Sequence, residues 1–241
     1  MSWYAYCIVE QLTLLNYRAR RVFPLPGMSG IGGAQVFAFP SGDFAVIVTE
    51  APPGGIDATK APYEFANLVG ECFKRGTVLP FRYGTIFETE DGLRQSLRMN
   101  RKTFLQSVAQ LKGKSEMRLK VMLRDVASAA ATDASASGLA YLTTLHAKAT
   151  VDRERQSRAR TVTQQVHRVF NPLQEEISCK KTAEGALLLD IAHLIESDSV
   201  TRYQNRLSAA QRQLPNCRVV LTGPWPPYHF LPDRVRTVAE N

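Results

Sequence analysis

Gln35-Val-Phe-Ala-Phe-Pro-Ser-Gly-Asp-Phe-Ala-Val-Ile-Val-Thr49 is the stretch that decides the fold class. Two runs rich in β-branched and aromatic residues, 35–39 and 44–49, flank the turn cluster Pro40-Ser-Gly-Asp43. Such a pair predicts an antiparallel hairpin. Upstream, residues 3–9 read as a further strand, Trp-Tyr-Ala-Tyr-Cys-Ile-Val. Pro24, Pro26, Gly27, Gly30, Gly32 and Gly33 predict an irregular connection between that strand and the hairpin. Pro52-Pro-Gly-Gly55 ends the pair.

Downstream, Phe65, Leu68, Val69 and Cys72 recur at helical spacing behind Pro62, which suits a first helical turn. This predicts a helix over 62–74 with Gly76 at its C-cap. A short strand follows at 77–79. One long helix is expected over 88–111, its acidic start at Glu90 and Asp91 favoured by the helix dipole. Met117, Leu119, Val121 and Leu123 alternate with polar residues, which predicts a half-buried strand over 116–123. The order β, hairpin, α, β, α, β makes the first half α+β. It resembles a ferredoxin-like sandwich: a mostly antiparallel sheet with two helices on one face.

Residues 127–138 are rich in Ala, Ser, Thr and Asp. They mark a domain boundary or the early turns of the next helix. Beyond them come a long helix over 139–170, with Tyr141 as a core residue, and a stop at Asn171-Pro172. A hairpin around Ala183-Glu-Gly185, a helix over 200–214 and a strand over 218–222 complete a smaller α+β unit, a ferredoxin-like variant. The expected organisation is an N-terminal ferredoxin-like domain over 1–126, a second α+β domain over 127–222, and a C-terminal Pro/aromatic strap and tail over 223–241.

Hydrophobic residues make up 44% of the 241-residue chain and charged residues 22%, an ordinary globular balance. No apolar run approaches the roughly 18–20 residues of a membrane span. The start lacks the basic and apolar regions of a secretory signal, so a cytoplasmic protein is expected. The four cysteines, Cys7, Cys72, Cys179 and Cys217, show no C-x-x-C pairing and read as buried, reduced thiols. A net charge of +8 raises nucleic acid as a partner, but the basic residues are spread along the chain. Arg153, Arg155, Arg158 and Arg160 alternate with Asp152 and Glu154 as a solvated helix face does.

The residues that chemistry needs are not grouped. His146, His167, His193 and His229 have no metal-ligand spacing. No nucleophile elbow or phosphate-binding loop occurs. The glycine-rich Gly27-Met-Ser-Gly-Ile-Gly-Gly33 follows Pro-Leu-Pro rather than a strand, so it reads as a loop. No enzyme activity, cofactor, metal or small-molecule substrate is expected.

Two other runs carry the functional expectation: Val78-Leu-Pro-Phe-Arg-Tyr-Gly-Thr-Ile-Phe87 and Leu221-Thr-Gly-Pro-Trp-Pro-Pro-Tyr228. Proline stiffens both, and rigid aromatics give contact area at low entropic cost. In an extended run Phe81 and Tyr83 share one face and Arg82 takes the other. Arg82 reads either as an anchor for a partner carboxylate or as an internal ion pair. Trp225 and Tyr228 sit on a polyproline-like rod, which reads either as a contact surface or as a strap on the first domain. The candidate protein-binding residues are Phe81, Arg82, Tyr83, Trp225 and Tyr228.

The chain resembles the GvpF/GvpL family of gas vesicle proteins in four places. These are Tyr6-Cys-Ile-Val9, the whole of Val78 to Phe87, Gly113-Lys-Ser-Glu-Met-Arg-Leu-Lys-Val121, and Leu221 to Tyr228. One departure is Gly138-Leu-Ala-Tyr-Leu142, where the family often carries Gly-Arg-Ala-Tyr-Leu. The resemblance implies a non-enzymatic accessory or minor structural protein, cytoplasmic and gas vesicle-associated. It would bind the hydrophobic shell subunit and other gas vesicle proteins. It also implies a ferredoxin-like N-terminal domain followed by a second α+β domain. The alternative is a nucleic-acid-binding ferredoxin-like module, which rests on net charge and fold analogy.

Overall fold

Strand β1 (Trp3–Glu10) is buried along its whole length except at Glu10, and β4 (Phe44–Glu50) is buried except at Glu50. A strand buried at successive residues has both of its faces covered. These two strands pair antiparallel at the centre of a sheet, with a register shift between Ala5 and Cys7. The computed structural model describes residues 2–11, 14, 21–51, 57–124, 138–171, 176–180 and 186–232. The expected turn at 52–55, the Ala/Ser-rich run at 127–137, the turn at 183–185, and the side chains of Tyr141 and Cys179 lie outside these residues.

The hairpin forms as expected. β3 (Gln35–Ser41) and β4 are antiparallel, from Ser41 against Phe44 to Val36 against Thr49. Gly42 takes φ 64° in the turn, a conformation that glycine adopts without steric cost. The connection before it is irregular at residues 30–34 but not throughout. Phe23–Ser29 is a strand, β2, on the outer edge of the sheet against β3. Pro24 and Pro26 cannot donate to a ladder, and an edge strand tolerates that on its open side. β5 (Val78–Pro80) and β6 (Ile86–Phe87) both pair antiparallel with β1 on its other side. The strand order is β2-β3-β4-β1-β5.

Helix α1 (Ala61–Phe73) lies on one face of this sheet. Its Phe65, Leu68, Val69 and Cys72 join Tyr4, Tyr6, Val36, Ala38, Ala45 and Ile47 in one core cluster. Phe39 points to the other face, since neighbours on a strand alternate. There it meets the ring of Trp3, and the Arg94 guanidinium lies 4.5 Å from its centroid. Arg94 belongs to α2 (Glu90–Met99), so helices cover both faces rather than the one expected. The expected single helix over 88–111 is also broken. Asn100, at φ −98° and ψ 5°, separates α2 from α3 (Arg101–Leu111). The Thr89 hydroxyl caps α2 by accepting the Gly92 amide at 3.0 Å.

A second sheet has the order β10-β7-β9-β8. It contains β7 (Lys114–Leu123), β8 (Glu176–Lys180), β9 (Leu187–Glu196) and β10 (Cys217–Trp225). β8 and β9 form the expected antiparallel hairpin. Arg118 on β7 makes two hydrogen bonds to the Asp190 carboxylate on β9, at 2.8 and 2.6 Å. Among the described side chains of the 33-residue α4 (Gly138–Phe170), the buried ones are Val162, Val166, Val169 and Phe170, near its C-terminal end. The expected helix over 200–214 is two short ones, α5 (Val200–Asn205) and α6 (Leu207–Gln213).

The contacts separate two compact units at Ser115/Glu116 and again at Pro224/Trp225. The expected boundary fell eleven residues later, at 126/127. β7 explains the difference. Read alone it resembles a last strand of the first sheet, but its partners are β9 and β10. The run that begins at Trp225 groups with the first unit.

Candidate protein-contact site

The Val78–Phe87 run is a strand interrupted by a turn, and β1 fixes both ends. The Phe81 amide donates to the Tyr6 carbonyl at 2.9 Å, and the Ala5 amide donates to the Thr85 carbonyl at 3.0 Å. Between them, the Thr85 amide and hydroxyl both donate to the Arg82 carbonyl, at 3.1 and 2.7 Å. Gly84 sits at φ 88°, where a side chain would be strained, and its amide donates to the Tyr4 hydroxyl at 2.8 Å. The backbone from 82 to 84 is thereby pushed outward as a pinned bulge.

This turn separates residues that an extended chain would place together. Phe81 is 2% exposed and packs edge-on against Phe87, with ring centroids 6.0 Å apart. Tyr83 is 42% exposed, on the side where Arg82 and Gly84 are also exposed. Its inner edge stands on Phe65 at 5.6 Å and Tyr4 at 6.4 Å. Phe81 and Tyr83 therefore do not share a face. Phe81 offers no surface and serves as a foot for the turn.

Tyr4 and Tyr6 were not among the expected contact residues, yet they hold the geometry. Burial pushes the Tyr4 hydroxyl up to about 12, against the opposing hydrogen bond from Gly84. Burial also raises Tyr6, whose hydroxyl accepts the Ile31 amide at 2.9 Å and lies 3.3 Å from Thr49 Oγ1. Both hydroxyls stay protonated at neutral pH and act as fixed hydrogen-bonding groups. The signal available in the sequence was alternation: Tyr4 and Tyr6 share a strand face with no polar neighbour to satisfy them locally.

The C-terminal run is not a free rod. β10 extends through Trp225, with a cis bond between Gly223 and Pro224. Pro226 and Pro227 are buried, and Tyr228 packs against the core cluster under α1. The Tyr228 amide donates to the Pro226 carbonyl at 2.8 Å and opens a short turn, Tyr228–Phe230, that buries Phe230. Trp225 stays 47% exposed. Of the five expected contact residues, Arg82, Tyr83 and Trp225 are exposed, Tyr228 is half-buried, and Phe81 is core.

Three of the four thiols sit in the interior. Cys7, Cys72 and Cys217 are free and buried. Burial raises the Cys7 thiol well above its usual range, and its hydrogen bond with Cys72 adds to that. Among the described residues, no group of three His, Cys, Asp or Glu could hold a metal ion. None of their helices is long and apolar enough to cross a membrane.

The model of the gas vesicle synthesis protein GvpL/GvpF family matches residues 2–232. The chain belongs to that family. Gas vesicle protein L of Streptomyces sp. (strain CB03234) is 26% identical over 231 residues, covering 85% of this chain and 86% of that protein. Two crystal structures share the fold. GvpF from Anabaena sp. PCC7120 superposes with a TM-score of 0.77 at 16% identity, covering 96% of each chain. GvpF from Microcystis aeruginosa gives 0.71 at 17% identity, over 96% of this chain and 99% of that one. The mixed α+β class and the GvpF/GvpL resemblance read from the sequence both hold. Membership gives the chain a role in gas vesicle synthesis.

Proposed function

We propose that this GvpF/GvpL protein acts in the cytoplasm as a non-enzymatic assembly factor. It binds the hydrophobic shell subunit and other gas vesicle proteins, and it remains vesicle-associated. An unassembled apolar subunit would aggregate through its exposed surface, so a partner that covers that surface suits shell growth. The observation that carries the reading is the exposure of Tyr83 and Trp225 on backbone that is itself fixed. A ring held by a hydrogen-bonded turn, or by two buried prolines, loses little freedom when it is covered. Arg82 supplies the charged group beside Tyr83, and Phe81 and Tyr228 act beneath the surface as supports.

Capture of purified shell subunit by wild type and by Arg82→Ala/Trp225→Ala tests the reading. Both side chains are exposed, so the double variant should fold and lose most of the capture. Undiminished capture by the folded variant removes these residues from the interface.

A further inference from the structure

Between Gly92 and Ser115 the chain carries six basic residues, Arg94, Arg98, Arg101, Lys102, Lys112 and Lys114, and no acidic one. This segment is α2 after its acidic opening at Glu90 and Asp91, the break at Asn100, α3, and the turn into β7. Leu93, Leu97, Phe104, Val108 and Leu111 turn inward and are buried. On the helices, Arg98, Arg101 and Lys102 are exposed on the other side. Three are partly engaged nearby: Arg94 with Glu90 and the Phe39 ring, Arg101 with Asp43 at 3.2 Å, and Lys112 with Glu10 at 3.5 Å. Arg98 and Lys102 are exposed and form no ion pair with a described residue.

Two apolar side chains stand among these charges. Met99 is 74% exposed, and Leu105 is 39% exposed. Arg98, Met99, Arg101, Lys102 and Leu105 fall within eight consecutive residues across the Asn100 break. That break is braced: the Asn100 amide and side-chain nitrogen both donate to the Ser96 carbonyl, and the Phe104 amide donates to the Asn100 carbonyl at 3.0 Å. A helix that simply ended in solvent would present charge alone. Here an uncovered thioether, adaptable in shape, follows Arg98 and precedes Arg101 and Lys102 in the chain.

We infer that the α2–α3 corner is a docking surface for an acidic amphipathic helix of a partner protein. Carboxylates on the partner would meet Arg98 and Lys102, and an apolar stripe would cover Met99 and Leu105. The occupant follows from the composition of the patch. Single-stranded nucleic acid calls for exposed aromatic faces for base stacking, and Phe104, the aromatic residue of this corner, is buried. A lipid surface calls for a broad apolar face, and one Met with one Leu is too little to insert. The inference stands apart from the role of Tyr83 and Trp225 and does not depend on it.

Fluorescence anisotropy on the full chain tests it. The probe is a labelled synthetic peptide with Leu at i, i+4 and i+7 and Glu on the flanking positions. Wild type should bind it, more weakly at about 300 mM than at about 50 mM NaCl. Arg98→Glu/Lys102→Glu should weaken binding about tenfold or more, and Met99→Ser about threefold. Arg158→Glu/Arg160→Glu changes the net charge equally on the exposed part of α4 and should stay within about twofold of wild type. No binding by wild type, or equal loss in the two charge-reversed variants, would overturn the proposal. So would tighter binding to a single-stranded RNA oligonucleotide or to phosphatidylserine vesicles than to the peptide.

Discussion

Lowering the pH should loosen the second unit through His193. This residue lies on β9, fully buried, with the Phe170 and Tyr203 rings around it. The Tyr203 hydroxyl, which burial keeps protonated, is hydrogen-bonded to Nδ1. If the hydroxyl donates, the ring proton sits on Nε2, and Nε2 finds no partner among the described residues. Burial, reinforced by His167 on α4, lowers the His193 pKa from 6.5 to about 4. Above pH 6.5 neither the folded nor the unfolded chain holds the extra proton, so the group costs nothing. Between pH 6.5 and 4 the unfolded chain takes up a proton that the folded one refuses, and stability falls as pH falls. At about 1.4 kcal/mol per tenfold difference, the full loss below pH 4 is about 3 kcal/mol.

His193→Leu/Tyr203→Phe removes the titrating ring and leaves no orphaned hydroxyl. Both tryptophans, Trp3 and Trp225, group with the first unit, so hydrogen exchange read on peptides from β9 is the suitable assay. The opening free energy of wild type should drop by about 3 kcal/mol more than that of the variant between pH 7 and 4. Other titrating groups are common to both proteins and cancel in the difference. Equal losses would refute the reasoning.

Three further substitutions follow from close approach and pairing. Gly223→Ala places a Cβ 2.7 Å from the Glu116 carbonyl oxygen at φ +118°, and urea denaturation should show a loss of about 2 kcal/mol or more. Gly30→Ala sets a Cβ 2.3 Å from the Thr49 methyl and 2.8 Å from the Tyr6 hydroxyl. It should cost about 1–3 kcal/mol in the same assay. Asp190→Asn removes the charge and one of the two acceptors facing Arg118 and should cost about 1–2 kcal/mol, less at high salt.

Local patterns were the legible part of the chain. The β3–β4 hairpin follows from Pro40-Ser-Gly-Asp43, and α1 from the spacing of Phe65, Leu68 and Cys72, because both depend on residues close in sequence. What escaped depends on distant partners. β2 carries two prolines and becomes a strand only because it lies at an edge. The alternation of β7 marks it as a strand but does not say which sheet it joins. Coverage of both sheet faces was visible in principle in the unbroken apolar run of β4, which an alternating strand would not show. In the candidate site, Trp225 and Tyr83 were singled out from their proline and glycine neighbours, and both are exposed. Phe81 was misplaced because the Gly84 turn breaks the alternation that an extended reading assumes.

The central claim is that fixed, exposed rings, not reactive groups, carry this protein's part in gas vesicle synthesis. It is tested most directly in cells whose own copy of the gene is deleted, by counting vesicles that collapse under pressure. Wild type should restore them. Tyr83→Ala/Trp225→Ala, present at equal level and folded, should leave few or none. Full restoration by that variant would contradict the account.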